Sequence, residues 1–96
     1  MRNEERQNMK QSDQQEHLST EILTAVDNQL RDNNPAATRD TLDRLKKEGR
    51  SDTDAKRLIG AVLAAEMYEV LKSRQPFSLD RYVRNLNRLP VLPWEG

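Results

Sequence analysis

Apolar residues in the first third of the chain recur at helical spacing. Leu18, Ile22, Val26 and Leu30 follow one another every four residues, as on the apolar side of an amphipathic helix. Residues 1–15 contain no Ile, Leu, Val or aromatic side chain, so they have nothing to bury against the entropy cost of ordering. The pattern predicts a disordered polar arm over 1–15 and a first helix over about 17–32.

A start signal and a stop signal bracket a second helix. Asn34 offers a side-chain cap, and Pro35 suits the first helical position, where its missing N–H costs nothing. Gly49 readily takes the left-handed conformation that ends helices. We therefore predict a helix over 35–48 with a narrow apolar stripe. That stripe consists of Ala37, Thr41, Leu42 and Leu45.

The third predicted helix is the longest and the most apolar. Ser51 with Asp54 three residues later resembles a capping box, and the helical pattern then continues over 52–73. Between Leu58 and Leu71 only Glu66 and Glu69 are charged. A helix that is apolar on most sides is normally covered on more than one side, so we expect this helix at the centre of the fold. Its main apolar face comprises Ala55, Leu58, Ile59, Val62, Leu63, Met67, Val70 and Leu71.

Pro76 separates the third helix from a short fourth helix, predicted over 79–88. Ser78 can cap this helix, and Phe77 before the cap can pack on Tyr82. We expect Leu79, Tyr82, Val83 and Leu86 to face inward. The two prolines of the last segment favour an extended apolar tail over 90–96. The sequence thus predicts an all-α bundle of about four helices, with a single helical domain over 16–89.

Composition narrows the classes of function. The chain has 96 residues, a hydrophobic share of only 34%, and 16 basic residues against 16 acidic ones. The core must be small, and no net charge attracts the whole molecule to nucleic acid or to an anionic membrane. There is no cysteine and no apolar stretch near the length of a membrane span. We expect a cytoplasmic protein that does not associate with membranes.

The stretch RLKKEGRSDTDAKRLI, residues 44–59, raises the question of a DNA-reading helix-turn-helix. In such motifs the first turns of the second helix approach the phosphates of the major groove. Here those turns carry Asp52 and Asp54, whose carboxylates would repel the DNA phosphates. We favour two helices packed on each other through apolar residues at their seam.

Candidate catalytic residues are few. The only histidine, His17, and Glu21 could share a helix face, but two ligands are fewer than a transition-metal site needs. With one histidine and no cysteine, a catalytic triad with an activated nucleophile is nearly excluded. We predict a protein that is not an enzyme, with no metal site and no cofactor, and the sequence identifies no small-molecule substrate.

Glu66 falls on the apolar arc of the third helix, so its carboxylate must be paired, partly solvated or shifted in pKa. We expect an ion pair with Arg81 or Arg84 of the fourth helix, and prefer this to a catalytic or ligand-binding use.

Two surfaces are candidates for recognition. The first is a basic patch in residues 72–88. It comprises Lys72, Arg74, Arg81, Arg84 and Arg88, and either a solvated face or a nucleic-acid site would explain it. The second is the small-residue side of the third helix together with the single tryptophan of the tail. Its residues are Ala61, Ala64, Ala65, Tyr68 and Trp94.

Trp94 admits two interpretations. It could fold back as a lid on its own helices, which we favour, or dock into a neighbouring chain, since aromatic residues are enriched at interface centres. Small residues on the third helix would allow a second helix to approach closely. The sequence therefore suggests an interaction or accessory module with a protein partner, or a homodimer through the Ala61–Tyr68 face.

The run AVDNQLRDNNPAATRDTLDRLKKEGRSDTDAKRLIGAVLAAEMYEVL resembles a family of small bacterial helical proteins of unknown function. The shared features are an N-Q-L segment, N-P, R-L, G-x-S and A-x-x-L-I at these intervals, over roughly Leu18 to Pro90. The resemblance implies a helical fold and no established activity. The G-x-S portion is also similar to ubiquitin-associated three-helix bundles, from which Arg50 departs, since that family favours an aromatic residue there.

Overall fold

The computed structural model describes residues 19–95, and these residues fold into four α-helices with no strand among them. The helices are α1 (Thr20–Asp32), α2 (Ala36–Lys47), α3 (Asp52–Ser73) and α4 (Leu79–Arg88). The all-α prediction is confirmed, and the predicted bounds of α3 and α4 agree with the structure. The predicted arm over 1–15, and His17, lie outside the described residues.

Serine hydroxyls cap three of the four helix starts. Ser51 Oγ accepts a hydrogen bond from Asp54 N–H at 3.0 Å, and Ser78 Oγ accepts one from Arg81 N–H at 3.1 Å. Both caps follow the predicted pattern. Ser19 caps α1 in the same way. Each cap satisfies a backbone donor that the first helical turn leaves without a partner.

The start of α2 differs from the prediction. Pro35 occupies the cap position instead of the first helical position, and no side chain caps the helix. Asn34 serves the preceding helix instead, because its backbone N–H donates to Gln29 C=O at 3.0 Å. Asn33, in the left-handed conformation, makes this turn possible. The asparagine that the sequence suggested as the cap of α2 therefore contributes to the end of α1 instead.

Gly49 ends α2 as the sequence predicts. Its φ of 103° lies in the left-handed region that favours glycine. Gly49 N–H donates to Lys46 C=O at 3.0 Å, and Arg50 N–H donates to Leu45 C=O at 3.1 Å. This pair of bonds is the Schellman motif, and it turns the chain directly into the Ser51 cap.

Helix α3 is the central element, since it packs against α1, α2 and α4. The core between them consists of Val26, Leu30, Leu42, Leu45, Ala55, Ile59, Val62, Leu63, Tyr82, Leu86 and Leu89. The prediction that α3 is covered on more than one side is confirmed along most of its length. It fails for Met67 and Leu71, which were expected to be buried but are exposed, Leu71 by 78%. These residues lie in the last turns of α3, beyond the core cluster.

Helix α4 buries two of its side chains completely, Tyr82 and Leu86. The Phe77 ring packs edge-on against Tyr82, with ring centres 5.5 Å apart, as the sequence predicts. Leu79, which was also expected to face inward, is about half exposed because it starts the helix at the edge of the core. Arg44 of α2 donates hydrogen bonds to the carbonyls of Leu86 and Leu89, at 3.1 and 2.9 Å, and so holds the end of α4.

The tail bends into turns over its described residues, 90–95. Leu92 packs against the core, and its N–H donates to the Glu95 carboxylate at 2.9 Å. Trp94 remains 65% exposed. The favoured interpretation of Trp94 as a lid is therefore wrong, because Leu92 takes the covering position instead.

Within residues 19–95, no helix combines the length and the apolar character required to cross a bilayer.

Candidate functional site: a groove between α3, α4 and the tail

A groove of about 590 Å³ opens where α3, α4 and the C-terminal tail meet. This volume is in the usual range for ligand-binding clefts. Most of the lining is apolar. The lining residues are Ala61, Ala64, Ala65, Glu66, Tyr68, Glu69, Arg81, Asn85, Pro93 and Trp94.

Small side chains of α3 form the floor of the groove. Ala61, Ala64 and Ala65 make up this floor. With Tyr68 they repeat at spacings of three, four and seven residues, which places all four on one side of a helix. All four belong to the recognition surface predicted from the sequence. The opposite side of α3 enters the core, where Ile59 and Val62 are fully buried. One helix thus presents an apolar side to the core and a second apolar side to solvent.

Two exposed aromatic rings border this floor. Tyr68 extends from α3 and Trp94 from the tail, and each is 65% exposed. Burying aromatic side chains is favourable, so two open rings beside one apolar floor leave a patch of apolar surface uncovered. The structure thus brings Trp94 to the predicted alanine face, an arrangement that helical periodicity alone does not reveal.

Glu66 and Arg81 line another part of the groove and form a two-pronged ion pair. Arg81 Nε lies 2.7 Å from Glu66 Oε1, and Arg81 Nη2 lies 2.7 Å from Oε2. Ser78 N–H donates to the same Oε2 at 2.8 Å. The Glu66 side chain is only 1% exposed, whereas that of Arg81 is 37% exposed. The carboxylate therefore joins α3, the start of α4 and the loop between them.

The pKa of Glu66 is lowered below its ordinary value. The hydrogen bonds from Arg81 are the main cause, aided by Ser78 N–H, and together they outweigh burial, which acts in the opposite direction. A carboxylate that already accepts three N–H groups and holds its proton weakly is poorly suited to general acid or base catalysis. Glu66 is a structural anchor of the α3–α4 corner, with Arg81 as its partner.

The predicted basic patch separates into different roles. Arg81 is engaged by Glu66, and Lys72 Nζ lies 3.8 Å from Glu69 Oε1 and 5.8 Å from the centre of the Tyr68 ring. Arg74 takes the left-handed conformation that closes α3.

Arg84 and Arg88 are exposed, and neither forms an ion pair with another residue in the range 19–95. Arg88 follows Arg81 by two helical turns, on the groove side of α4.

Sequence reasoning missed several polar residues. Asn85 lines the groove and lies one helical turn after Arg81, so its spacing could have identified it. Gln29 Oε1 accepts hydrogen bonds from Thr38 Oγ1 at 2.7 Å and from Tyr82 Oη at 2.8 Å. Burial raises the pKa of Tyr82, and hydrogen bonding of its hydroxyl with Thr38 and Gln29 offsets part of that rise. This network joins α1, α2 and α4, and no local signal in the sequence indicates it.

No group of three His, Cys, Asp or Glu side chains within residues 19–95 is arranged to hold a metal ion. The His17–Glu21 pair considered from the sequence falls partly outside that range, so the structure does not describe it.

Comparisons of the chain with family models, with curated proteins and with solved structures find no match. The resemblance to a small bacterial helical family stays a prediction.

Proposed function

We propose that this protein is a noncatalytic interaction module that docks a partner protein in the α3–α4 groove. The observation that carries the proposal is the floor of Ala61, Ala64 and Ala65 between the exposed rings of Tyr68 and Trp94. Small floor residues let another backbone approach closely, and aromatic residues at the centre of an interface provide a large share of binding energy.

The exposed apolar surface continues beyond the groove along α3. Met67 and Leu71 follow on the solvent side of the helix, 46% and 78% exposed. Isolated exposed apolar residues are common, but a contiguous set next to a cleft is typical of a protein interaction site. The absence of cysteine from the sequence supports a cytoplasmic setting as part of this proposal.

The test is quantitative affinity capture from nuclease-treated lysate of the native host. Ala64→Glu places a carboxylate on the groove floor, and Ala36→Glu makes the same change at an exposed position of α2, away from the groove. We expect at least one protein to be captured by the wild type and by Ala36→Glu, and to be lost with Ala64→Glu. Circular dichroism should show that both variants remain helical.

A second pair of variants examines the tryptophan. Trp94→Ala removes a groove wall, while Val91→Ala shortens another exposed residue of the same tail that does not line the groove. Capture should fall with Trp94→Ala and persist with Val91→Ala. Equal capture by wild type, Ala64→Glu and Trp94→Ala would refute the groove as the docking site.

Single-stranded nucleic acid is the second candidate. The observation that favours it is the pair of exposed rings at one groove, Tyr68 and Trp94, with exposed Arg84 and Arg88 on the helix α4 that lines this groove, since stacking rings together with cations bind single strands. Glu66 and Glu69 in the lining oppose it. Anisotropy titration with single-stranded RNA should give weak binding under our proposal. Tight, strongly salt-dependent binding that Trp94→Ala abolishes would support the nucleic-acid function instead.

A further inference from the structure

We infer that the groove takes an acidic amphipathic helix of another protein. This inference rests on the proposed docking function and adds the chemistry and shape of the partner. Charge complementarity at the rim of the groove is the principal argument, and the geometry of α3 is the second.

Basic side chains surround the alanine floor. On α3, Arg57 precedes Ala61 by about one turn, and Lys72 follows Tyr68 by about one turn. On α4, exposed Arg84 and Arg88 extend the same side that Arg81 occupies. At the two ends of the floor these cations stand in ion pairs, because Arg57 Nη1 lies 3.9 Å from Asp54 Oδ1 and Lys72 Nζ lies 3.8 Å from Glu69 Oε1. Among the described residues, the unpaired basic charge of the rim therefore lies along its α4 side, at Arg84 and Arg88.

Three carboxylates near the groove are engaged within the chain, whereas Asp80, four residues before Arg84 on α4, forms no ion pair among residues 19–95. Glu66 accepts both prongs of Arg81. Glu69 lies 3.8 Å from Lys72 Nζ, and Glu95 accepts a hydrogen bond from Leu92 N–H at 2.9 Å. Arg84 and Arg88 are left without a carboxylate among residues 19–95. A partner that brings carboxylates to this rim satisfies charges that the chain itself does not.

A second copy of this chain fits the rim poorly. In a symmetric dimer the same surface meets itself, and Arg57 and Lys72 lie equally far from the midpoint between Ala64 and Ala65. An antiparallel crossing of two α3 helices would place Arg57 against Lys72 of the other copy. A parallel one would place each against its equivalent. Like charges meet in both cases, which argues against the homodimer expected from the sequence.

Helix geometry selects the shape of the partner. Residues 19–95 contain no strand whose edge could extend into a peptide partner. The floor and Tyr68 together cover about 10 Å of α3, or two turns, at the spacings through which helices interlock. A partner helix would lay apolar residues over the alanines, insert a bulky one between Tyr68 and Trp94, and direct carboxylates to Arg84 and Arg88.

The experiment is a selection from a displayed library of helical peptides of about 18 residues, or five turns. Apolar positions repeat every three or four residues, and flanking positions are randomised among Glu, Lys, Gln and Ser. Peptides are selected on the full-length protein and counter-selected on Ala64→Glu, with Ala36→Glu as the matched control. We expect groove-dependent binders enriched in Glu at the flanking positions.

A charge reversal then tests the assigned residues. With Arg84→Glu/Arg88→Glu, the Glu-rich peptides should bind about tenfold more weakly, as expected for the loss of two rim pairs and added repulsion. A second selection on this variant should favour Lys. Quenching or shift of the emission of Trp94, the single tryptophan, reports binding directly. Unlike a general loss of structure, a reversed preference requires direct contact with these two arginines.

Each other outcome has a definite meaning. Groove-dependent binders without Glu enrichment would refute the acidic partner and leave the docking function standing. No groove-dependent binders, together with no groove-dependent capture from lysate, would refute both. A dimer in light scattering that Ala64→Glu dissociates would assign the groove to a second copy, and tighter binding of single-stranded RNA than of any peptide would assign it to nucleic acid.

Discussion

Replacing Arg81 with methionine is the most informative perturbation of this fold. The Glu66 carboxylate is 1% exposed. Of its three hydrogen-bond donors, the change would leave only the Ser78 N–H. Two charge-assisted hydrogen bonds would be lost, each typically worth about 1.5–3 kcal/mol. Removing one partner of a buried ion pair commonly costs about 3–5 kcal/mol. Because Ser78 still donates, we expect about 3 kcal/mol of lost stability at neutral pH.

Replacing Glu66 with leucine should cost less. The freed Arg81 side chain is already 37% exposed and can be rehydrated, so the main penalty is the loss of the acceptor for Ser78 N–H. An unsatisfied backbone donor costs about 1–3 kcal/mol, and we expect the lower half of that range. The double variant Glu66→Leu/Arg81→Met should be more stable than the Arg81→Met single variant, because no buried charge remains.

Urea unfolding followed by far-ultraviolet circular dichroism measures these differences. Trp94 is a poor reporter of unfolding since it is exposed in the folded state. The outcome that contradicts the reasoning is an Arg81→Met variant that loses no more stability than Glu66→Leu at neutral pH. That result would mean that the carboxylate is hydrated or protonated without its partner.

The same variants carry a pH dependence. The pKa of Glu66 in the folded protein lies below its ordinary value of about 4.5, so the folded state binds fewer protons than the unfolded state in acid. The contribution of ionised Glu66 to stability is complete above about pH 4.5. It is lost as the pH falls through the lower pKa of the folded state. In Arg81→Met, burial favours the protonated acid. The difference in unfolding free energy between wild type and Arg81→Met should therefore shrink as pH falls, and a constant difference would contradict this linkage.

Three further substitutions test separate parts of the fold, each by urea unfolding. Gly49→Ala should cost about 1 kcal/mol from the left-handed backbone alone, because nothing lies within 4 Å of the added Cβ; no loss would contradict that conformation. Tyr82→Phe should cost about 1 kcal/mol of stability because it removes the hydrogen bond to Gln29. An unchanged urea midpoint would show that this hydrogen bond is dispensable. Arg44→Met should cost about 1 kcal/mol and speed amide exchange in residues 89–95, because the Leu89 carbonyl loses its charged donor; unchanged exchange would refute that anchoring role.

Local signals were sufficient for most helix boundaries. Ser51 with Asp54, Gly49, and Ser78 after Pro76 act within a few residues of the ends they define. Glu66 also stood out locally, because a carboxylate on an apolar arc requires a partner. The candidate partners were Arg81 and Arg84, and the structure places Arg81 there.

Nonlocal contacts account for what the sequence did not reveal. The Gln29 network joins residues as far apart as Gln29 and Tyr82, and periodicity has no means of pairing them. No sequence signal distinguishes Arg44 from the other cations of α2, yet it holds the end of α4. The groove itself depends on where the tail turns, so the proximity of Trp94 to the alanine floor emerges only in three dimensions.

Two opposite sides of helix α3 have different surroundings. Ile59 and Val62 face the core, while Ala61 and Ala64, two residues further along in each case, face the groove. Substitutions on the solvent side therefore leave the interior packing in place. For the proposed docking function, this separation means that residues facing the groove can be exchanged without altering the core side of the same helix, so the specificity of the groove could be graded or redirected.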